Sequence, residues 1–410
     1  MKIVYLSPSG QLGGAELSLL DIMASIRAAM PEFALHLIAG SDGPLVAHAL
    51  EIGINAITLP FPDALARLGD AGVSGTAGTQ VSRLQLFGNL VFAMWPGRDY
   101  VRRLRQALKE LEPDVIHSNG FKMHVLSIWA RPAGRVPVIW HVRDYASRRA
   151  IMARLLRHLS TKCAGIVANS KSVAEDVRVV CGRRAPEVHV VYNAIDLERF
   201  STSGATLDLD GLAQLQAAPP GTLRVGLPAT FARWKGHEVF LRALSLLPSD
   251  ITYRGYIIGD AIYQTAGSQY DIKELRRLSA ELGLEDRIGF TGFVEDMPAV
   301  MRSLDIVVHA STEPEPFGRV IAEAMACGRA LVASDAGGAA EIIENGVNAL
   351  SHTPGDSASL ADCINHLARN STLMASMGLA GRATAELRFD RVRLPTELIP
   401  LYQEAPSRKT

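Results

Sequence analysis

Short apolar runs alternate with amphipathic stretches along nearly the whole chain, and few architectures accommodate that rhythm. Strands separated by helical segments imply βαβ units and a parallel sheet covered on both faces. Lys2–Ser7 reads as the first strand, Pro8–Gly14 as a Gly-rich turn and Ala15–Ala28 as an amphipathic helix. Strands follow near Ala34–Ala39, Ala56–Pro60, Asp114–His117, Val136–His141, Gly165–Ala168 and Val188–Tyr192. The rhythm pauses at Asn193–Gly221, where Ser, Gly, Asp and a Pro-Pro pair read as a linker. It restarts with strands at Leu223–Leu227, Tyr253–Ile258, Arg287–Phe290, Asp305–His309 and Ala330–Ala333, and helices at Gly236–Leu246 and Ile272–Leu282. Two α/β domains are expected, residues 1–195 and 196–380, with 381–410 as a C-terminal helical segment. Ligands of such sheets bind on the loops beyond the carboxyl ends of the strands.

Two stretches interrupt the pattern. Asp63–Ser82 is rich in Gly, Ser, Thr and Ala and reads as a loop. Leu84–Trp95 is mostly apolar and precedes Arg102, Arg103, Arg105 and Lys109, a composition that suits either an interfacial helix or a core helix. The formal net charge of +0 conceals an asymmetry: residues 1–200 hold 23 Lys+Arg against 17 Asp+Glu, and residues 98–184 hold 18 against 7. Such a face suits an anionic membrane or a phosphate-bearing acceptor, or is a solvated face of Arg-rich helices. No nucleic-acid partner is expected. The four cysteines, Cys163, Cys181, Cys327 and Cys363, form no CxxC and fit a reducing compartment. The first strand begins at once, without signal-peptide character, and no apolar run is long enough to span a bilayer. A cytoplasmic location is therefore expected, with possible contact at the inner face of the membrane.

The segment Glu313–Cys327, EPEPFGRVIAEAMAC, is the most informative for chemistry. Pro316 suits a helix start, and Gly318 allows close backbone approach. A helix beginning near Phe317 aims its free N–H groups at the preceding loop, an arrangement that accepts a diphosphate. Glu323 on that helix is placed to accept hydrogen bonds from a ribose diol, with Glu315 beside the sugar. An ordinary acidic helix start would read the same way. Gly13 and Gly14 form a tight turn or a backbone approach to a ligand. His117-Ser118-Asn119 and His141-Val142-Arg143-Asp144 both follow apolar strands, so they belong at strand ends, as site residues or as satisfied structural ones.

Taken together, these segments resemble glycosyltransferase family 4, the retaining glycosyltransferases of GT-B fold. Glu315 to Glu323 is similar to the family's paired-glutamate motif. Gly13-Gly14, Ala168-Asn169-Ser170, Tyr192-Asn193-Ala194-Ile195-Asp196, Lys235-Gly236, Phe290-Thr291-Gly292-Phe293 and Ala336-Gly337-Gly338 with Glu341 resemble further family segments in the same order. The resemblance implies two Rossmann-like domains facing a central cleft, with the C-terminal segment returning to the N-terminal domain. It implies transfer of a sugar from a nucleotide diphosphate sugar, UDP- or GDP-linked, to a glycan or lipid-linked glycan, as in surface polysaccharide synthesis.

The same resemblance assigns roles. Lys235 neutralises the donor diphosphate, Glu315 positions the donor sugar and His141 contacts it. Gly13, Gly14, Glu323, Phe317, Gly318, Val320 and Phe293 bind the donor; Arg319 stands where many members carry an apolar residue, and either contacts the donor or points to solvent. Asn119, Lys122, Arg143 and Asp144 are acceptor-side candidates. Where the family often carries an arginine, this chain has Thr230, and Arg233 is expected to supply the second positive charge. No cofactor and no metal are expected, because Lys and Arg can neutralise the diphosphate. A nucleotide-sugar epimerase, a glycan phosphorylase and a catalytically silent nucleotide-sugar-binding scaffold are the rival readings.

Overall fold

The structure is a computed structural model that describes residues 1–62, 83–132, 136–261 and 268–405, with side chains of the long helix from residue 97 onward. The loop expected at Asp63–Ser82 and the apolar side chains of Leu84–Trp95 lie outside the described residues. The chain divides into two compact units, Met1–Ala194 with Arg391–Thr410, and Ile195–Asp390.

The first unit is built on seven parallel strands: β1 Lys2–Ser7, β2 Ala34–Ala39, β3 Asn55–Thr58, β4 Val115–Asn119, β5 Val138–Val142, β6 Gly165–Ala168 and β7 Val188–Val190. Their order is β3-β2-β1-β4-β5-β6-β7. The central strands are apolar on both faces because helices cover both. One core packs Val4, Leu6, Ile116 and Trp140 against helices that include Tyr100, Leu126 and Val177. The other packs Ile3, Tyr5, Ile139 and Val167 against Leu19, Met23, Leu398 and Tyr402.

The second unit has six parallel strands: β8 Leu223–Pro228, β9 Tyr253–Ile258, β10 Ile288–Gly292, β11 Ile306–His309, β12 Ala330–Ser334 and β13 Leu350–His352, in the order β10-β9-β8-β11-β12-β13. In both sheets the order reverses once, between β1 and β4 and between β8 and β11. Loops leaving the two strands at such a reversal run in opposite directions and open a crevice, where α/β sheets hold ligands.

Two sequence expectations are corrected here. Asn193–Gly221 is not a free linker: Phe200 and Leu209 are buried, and Leu209–Leu212 forms a short helix capped by Asp208. Asp210 in this segment is itself buried. It accepts from Tyr256 Oη at 2.7 Å and Arg224 Nη2 at 3.2 Å, tying the segment to β8 and β9. Its polar and Gly-Pro composition concealed the few apolar anchors that hold it. The C-terminal return also begins later than residue 381. Helix Ser371–Arg388 stays in the second unit, where Met377 is buried and Gly381 packs against Met325 of helix Arg319–Ala326. The chain rejoins the first unit at Arg391. There helix Leu394–Glu404 buries Leu394, Leu398 and Tyr402.

Gly236, between β8 and its following helix, has φ 77°, and a Cβ there would lie 1.9 Å from the Ala310 carbonyl oxygen. Gly283 is also left-handed, at φ 69°, but has open space around it. Gly283→Ala is therefore expected to cost only the conformational penalty, about 1 kcal/mol. Gly236→Ala should cost at least twice as much, since the β8 loop must move off β11. Urea unfolding midpoints of the two variants check the difference.

Candidate functional site

The reversal in the second sheet brings together the two loops that carry Lys235 and Glu315. After β8 the chain makes a tight turn, Arg233–Lys235, and the left-handed Gly236 then starts helix His237–Ser245. After β11 it passes Ser311 and Glu315 and enters helix Arg319–Ala326 through Gly318, at φ 88° and ψ 61°. The two loops are stitched by Thr312 N–H donating to the Trp234 carbonyl at 2.8 Å.

Lys235 Nζ lies 2.7 Å from Glu315 Oε2 and 4.0 Å from the Trp234 ring centroid. Ser311 Oγ donates to the same carboxylate oxygen at 2.9 Å, and His309 Nε2 stands 3.3 Å away. Glu315 is only 8% exposed. Burial alone would raise its pKa, but the Lys235 charge and the His309 hydrogen bond hold the carboxyl well below the usual range. The backbone is fixed as firmly: Gly338 N–H donates to the Glu315 carbonyl at 2.6 Å, and a Cβ at Gly338 would lie 2.1 Å from the Pro316 carbonyl oxygen. The Gly337-Gly338 pair is therefore the bed on which Glu315–Phe317 rests.

The other donor-side candidates divide. Glu323 is buried, and its Oε1 accepts from Arg319 Nε at 2.8 Å, so these two act as a pair on one helix face. Gly318 offers no side-chain cap to the first turn of that helix, and half-buried Val320 lies in it. The Phe317 side chain is buried edge-on against Phe389, ring centroids 5.8 Å apart, and anchors the loop. Phe293, after β10, is 65% exposed. Arg233 forms a two-pronged pair with Glu274 at 3.0 and 2.9 Å and stacks 4.4 Å over Tyr270.

The first unit gathers its candidates at its own reversal. Gly13 precedes helix Gly14–Ala29; its N–H donates to Glu16 Oε2 at 3.2 Å, and a Cβ at Gly14 would meet nothing within 4 Å. Arg143 organises the rest. Its Nε donates to Asn119 Oδ1 at 2.7 Å, its Nη1 to Asn193 Oδ1 at 2.5 Å and its Nη2 to His141 Nδ1 at 3.3 Å. His141 is 1% exposed. Burial, then the Arg143 charge, pushes its pKa well below the ordinary histidine value, so the ring is neutral. Asp144 accepts from Arg149 Nη2 at 3.0 Å and from the Tyr145 N–H at 2.8 Å. Lys122 is half-buried on helix Phe121–Ala130. Ser311 and His309 stand at a strand end with no motif to mark them, and Asn193 opens the stretch that reads as a linker.

Residues 13–199 match the family described as Glycosyltransferase Family 4, and residues 222–370 match Glycosyl transferases group 1. The chain belongs to glycosyltransferase family 4. Its fold is GT-B. Anabaena Alr3699/HepE, solved in complex with UDP, is 29% identical at a TM-score of 0.78, with 98% of this chain and 100% of that chain covered. The same protein with UDP-glucose superposes at 0.77. D-inositol 3-phosphate glycosyltransferase of Xylanimonas cellulosilytica is 28% identical over 60% of this chain and 58% of that protein, less than two thirds of its length. The lipopolysaccharide core biosynthesis glycosyltransferase LpsE of Rhizobium meliloti is 26% identical over 70% of this chain and 77% of its own length. Among the described residues no cluster of three or more His, Cys, Asp or Glu has metal-site geometry, and no helix is long and apolar enough to cross a membrane.

Removing Lys235 leaves Glu315 buried without its cation. Lys235→Met is expected to destabilise the protein at pH 7 by about 3 kcal/mol. Because the folded-state pKa of Glu315 is depressed, its stabilising contribution is present above the unfolded value and is lost as pH falls below it. In the variant the carboxyl pKa rises, so the gap to wild type should narrow from pH 7 to pH 5. Thermal midpoints measured across that range check it; a constant gap would contradict it.

Proposed function

We propose that this protein transfers a sugar from a nucleotide diphosphate sugar to a glycan or lipid-linked glycan with retention of anomeric configuration. The observation that carries the reading is the buried Lys235–Glu315 pair beside the open first turn of helix Arg319–Ala326. A diphosphate placed there meets one ammonium and the positive end of a helix. The likeness to a UDP- and UDP-glucose-bound protein supports a UDP-sugar over a GDP-sugar.

In this reading the bond from the anomeric carbon to the diphosphate oxygen breaks, and a bond from the acceptor oxygen forms on the same face. The acceptor's proton passes to the departing phosphate oxygen. Lys235 stabilises the charge that develops on that phosphate, in a half-buried setting where the interaction is strong. Glu315, kept ionised, orients the donor sugar and forms no covalent intermediate. Glu323 accepts from the ribose hydroxyls, which requires it to share its carboxylate with Arg319. Lys235 takes the part that a metal ion plays in other transferases, so we propose catalysis without a metal or other cofactor. On the first unit, Asn119, Lys122, Arg143 and Asp144 lie on the acceptor side. The basic character of residues 98–184 fits a phosphate-bearing or membrane-held acceptor at the inner face of the membrane, in surface polysaccharide synthesis.

A thermal-shift series with UDP, GDP, ADP and CMP, with and without Mg²⁺, tests the donor. At about 100 times its dissociation constant a ligand adds about 2.7 kcal/mol, a shift of several degrees. UDP alone should give it, without Mg²⁺, and the shift should shrink in Glu323→Ala and Lys235→Ala. Stabilisation by none of the four would favour a silent scaffold, and activity surviving both substitutions would place the site elsewhere. Binding to anionic vesicles, read by sedimentation, is expected for the intact protein; no pelleting would remove the membrane part of the proposal.

A further inference from the structure

Side chains from separate segments of the first unit form one line of hydrogen bonds that the reading above does not use. Tyr402 Oη lies 2.8 Å from His117 Nδ1, and His117 Nε2 lies 3.3 Å from His141 Nδ1. Arg143 Nη2 reaches the same His141 Nδ1. His141 Nε2 is buried and has no hydrogen-bond partner among the described residues.

The polarity of the whole line follows from its arginine end. A guanidinium has donors only, so His141 Nδ1 is the acceptor. Arg143 cannot turn away, because Asn119 and Asn193 hold its other nitrogens. A neutral imidazole carries one N–H, which in His141 must then sit on Nε2. His117 Nε2 faces the same lone pair and must donate to it. His117 Nδ1 is thereby an acceptor, and the Tyr402 hydroxyl donates to it. Burial first, then Arg143, holds both histidines well below their ordinary pKa. The titratable groups facing them are Tyr5 of β1, with its ring 5.3 Å from His117, then His124, Arg143 and Tyr402, none of which supplies a negative charge for an imidazolium.

The geometry points to Tyr402 as a positioning residue that, with Arg143, locks His141 in its Nε2–H form, so that His141 donates to a sugar hydroxyl oxygen and is not the base that takes the acceptor's proton. The C-terminal helix Leu394–Glu404 thus completes the first unit's site as well as its core. The ligand named here rests on the sugar-transfer reading; the protonation pattern does not.

Two measurements test it. Long-range proton–nitrogen NMR of the full chain labelled at histidine, without ligand, should show neutral Nε2–H rings for His117 and His141 at pH 7. Tyr402→Phe should mix the His117 tautomers. A His141 ring that is Nδ1–H or doubly protonated would overturn the proposal, even if no sugar transfer is ever detected. In turnover, His141→Gln keeps an amide donor near the Nε2 position and should stay within about tenfold of wild type, whereas His141→Asn should fall further. A base role would lower both alike by about a hundredfold or more. Tyr402→Phe should lower kcat about threefold or more with KM for the nucleotide sugar unchanged. Wild-type kcat in a folded Tyr402→Phe protein would refute the positioning role, and loss of all transfer in wild type would fault the sugar-transfer reading alone.

Discussion

The loops at the strand reversal of the second unit are organised by the ion pair between Lys235 and Glu315. Lys235 and Glu315 lie on loops that leave adjacent parallel strands, β8 and β11, at the one place where the strand order reverses. Desolvating two charges is costly, so the pair persists only because the surroundings satisfy it: Ser311 and His309 reach the carboxylate, and Trp234 lies beneath the ammonium. The glycines of the two loops follow from that demand. Gly236 and Gly338 let backbones approach Ala310 and Pro316 to distances at which a Cβ cannot fit. A position that looks in sequence like a permissive turn is, in the fold, a steric condition for bringing two charges into contact.

The first unit meets the same problem differently. It surrounds half-buried Arg143 with two amide oxygens and an imidazole nitrogen. These three acceptors are neutral, and the guanidinium keeps its positive charge. That charge adds to burial in keeping His117 and His141 unprotonated. One unit therefore pairs its charge with a carboxylate, and the other holds its cation among neutral acceptors.

Much of this was legible in the chain. The strand–helix alternation reports burial on both faces of a parallel sheet, and β1, β2, β6 and β9 fall where the apolar runs place them. Lys235, Glu315 and Glu323 stand out in two motif segments of the chain, and the structure has them on the loops of the β8–β11 reversal and the helix that follows. What the chain concealed was what each side chain touches. Arg233 is two residues from Lys235, yet its partners are Glu274 and Tyr270, on and just before helix Ile272–Glu281. Phe317 lies inside the motif, yet it packs on Phe389. Strand β13 was missed because Leu350–His352 is too short to carry a period.

By itself the sequence determined the class of fold and the residues able to carry charge. Hydrophobic periodicity and glycine placement are local, and local order is written in the chain. Only the tertiary structure decided that Glu315 is ionised, that the Asn193–Gly221 stretch is packed and that Tyr402 reaches His117 across 285 positions of sequence. Ionisation, burial and tautomer depend on every atom within a few ångströms, and in a parallel sheet those atoms come from distant segments.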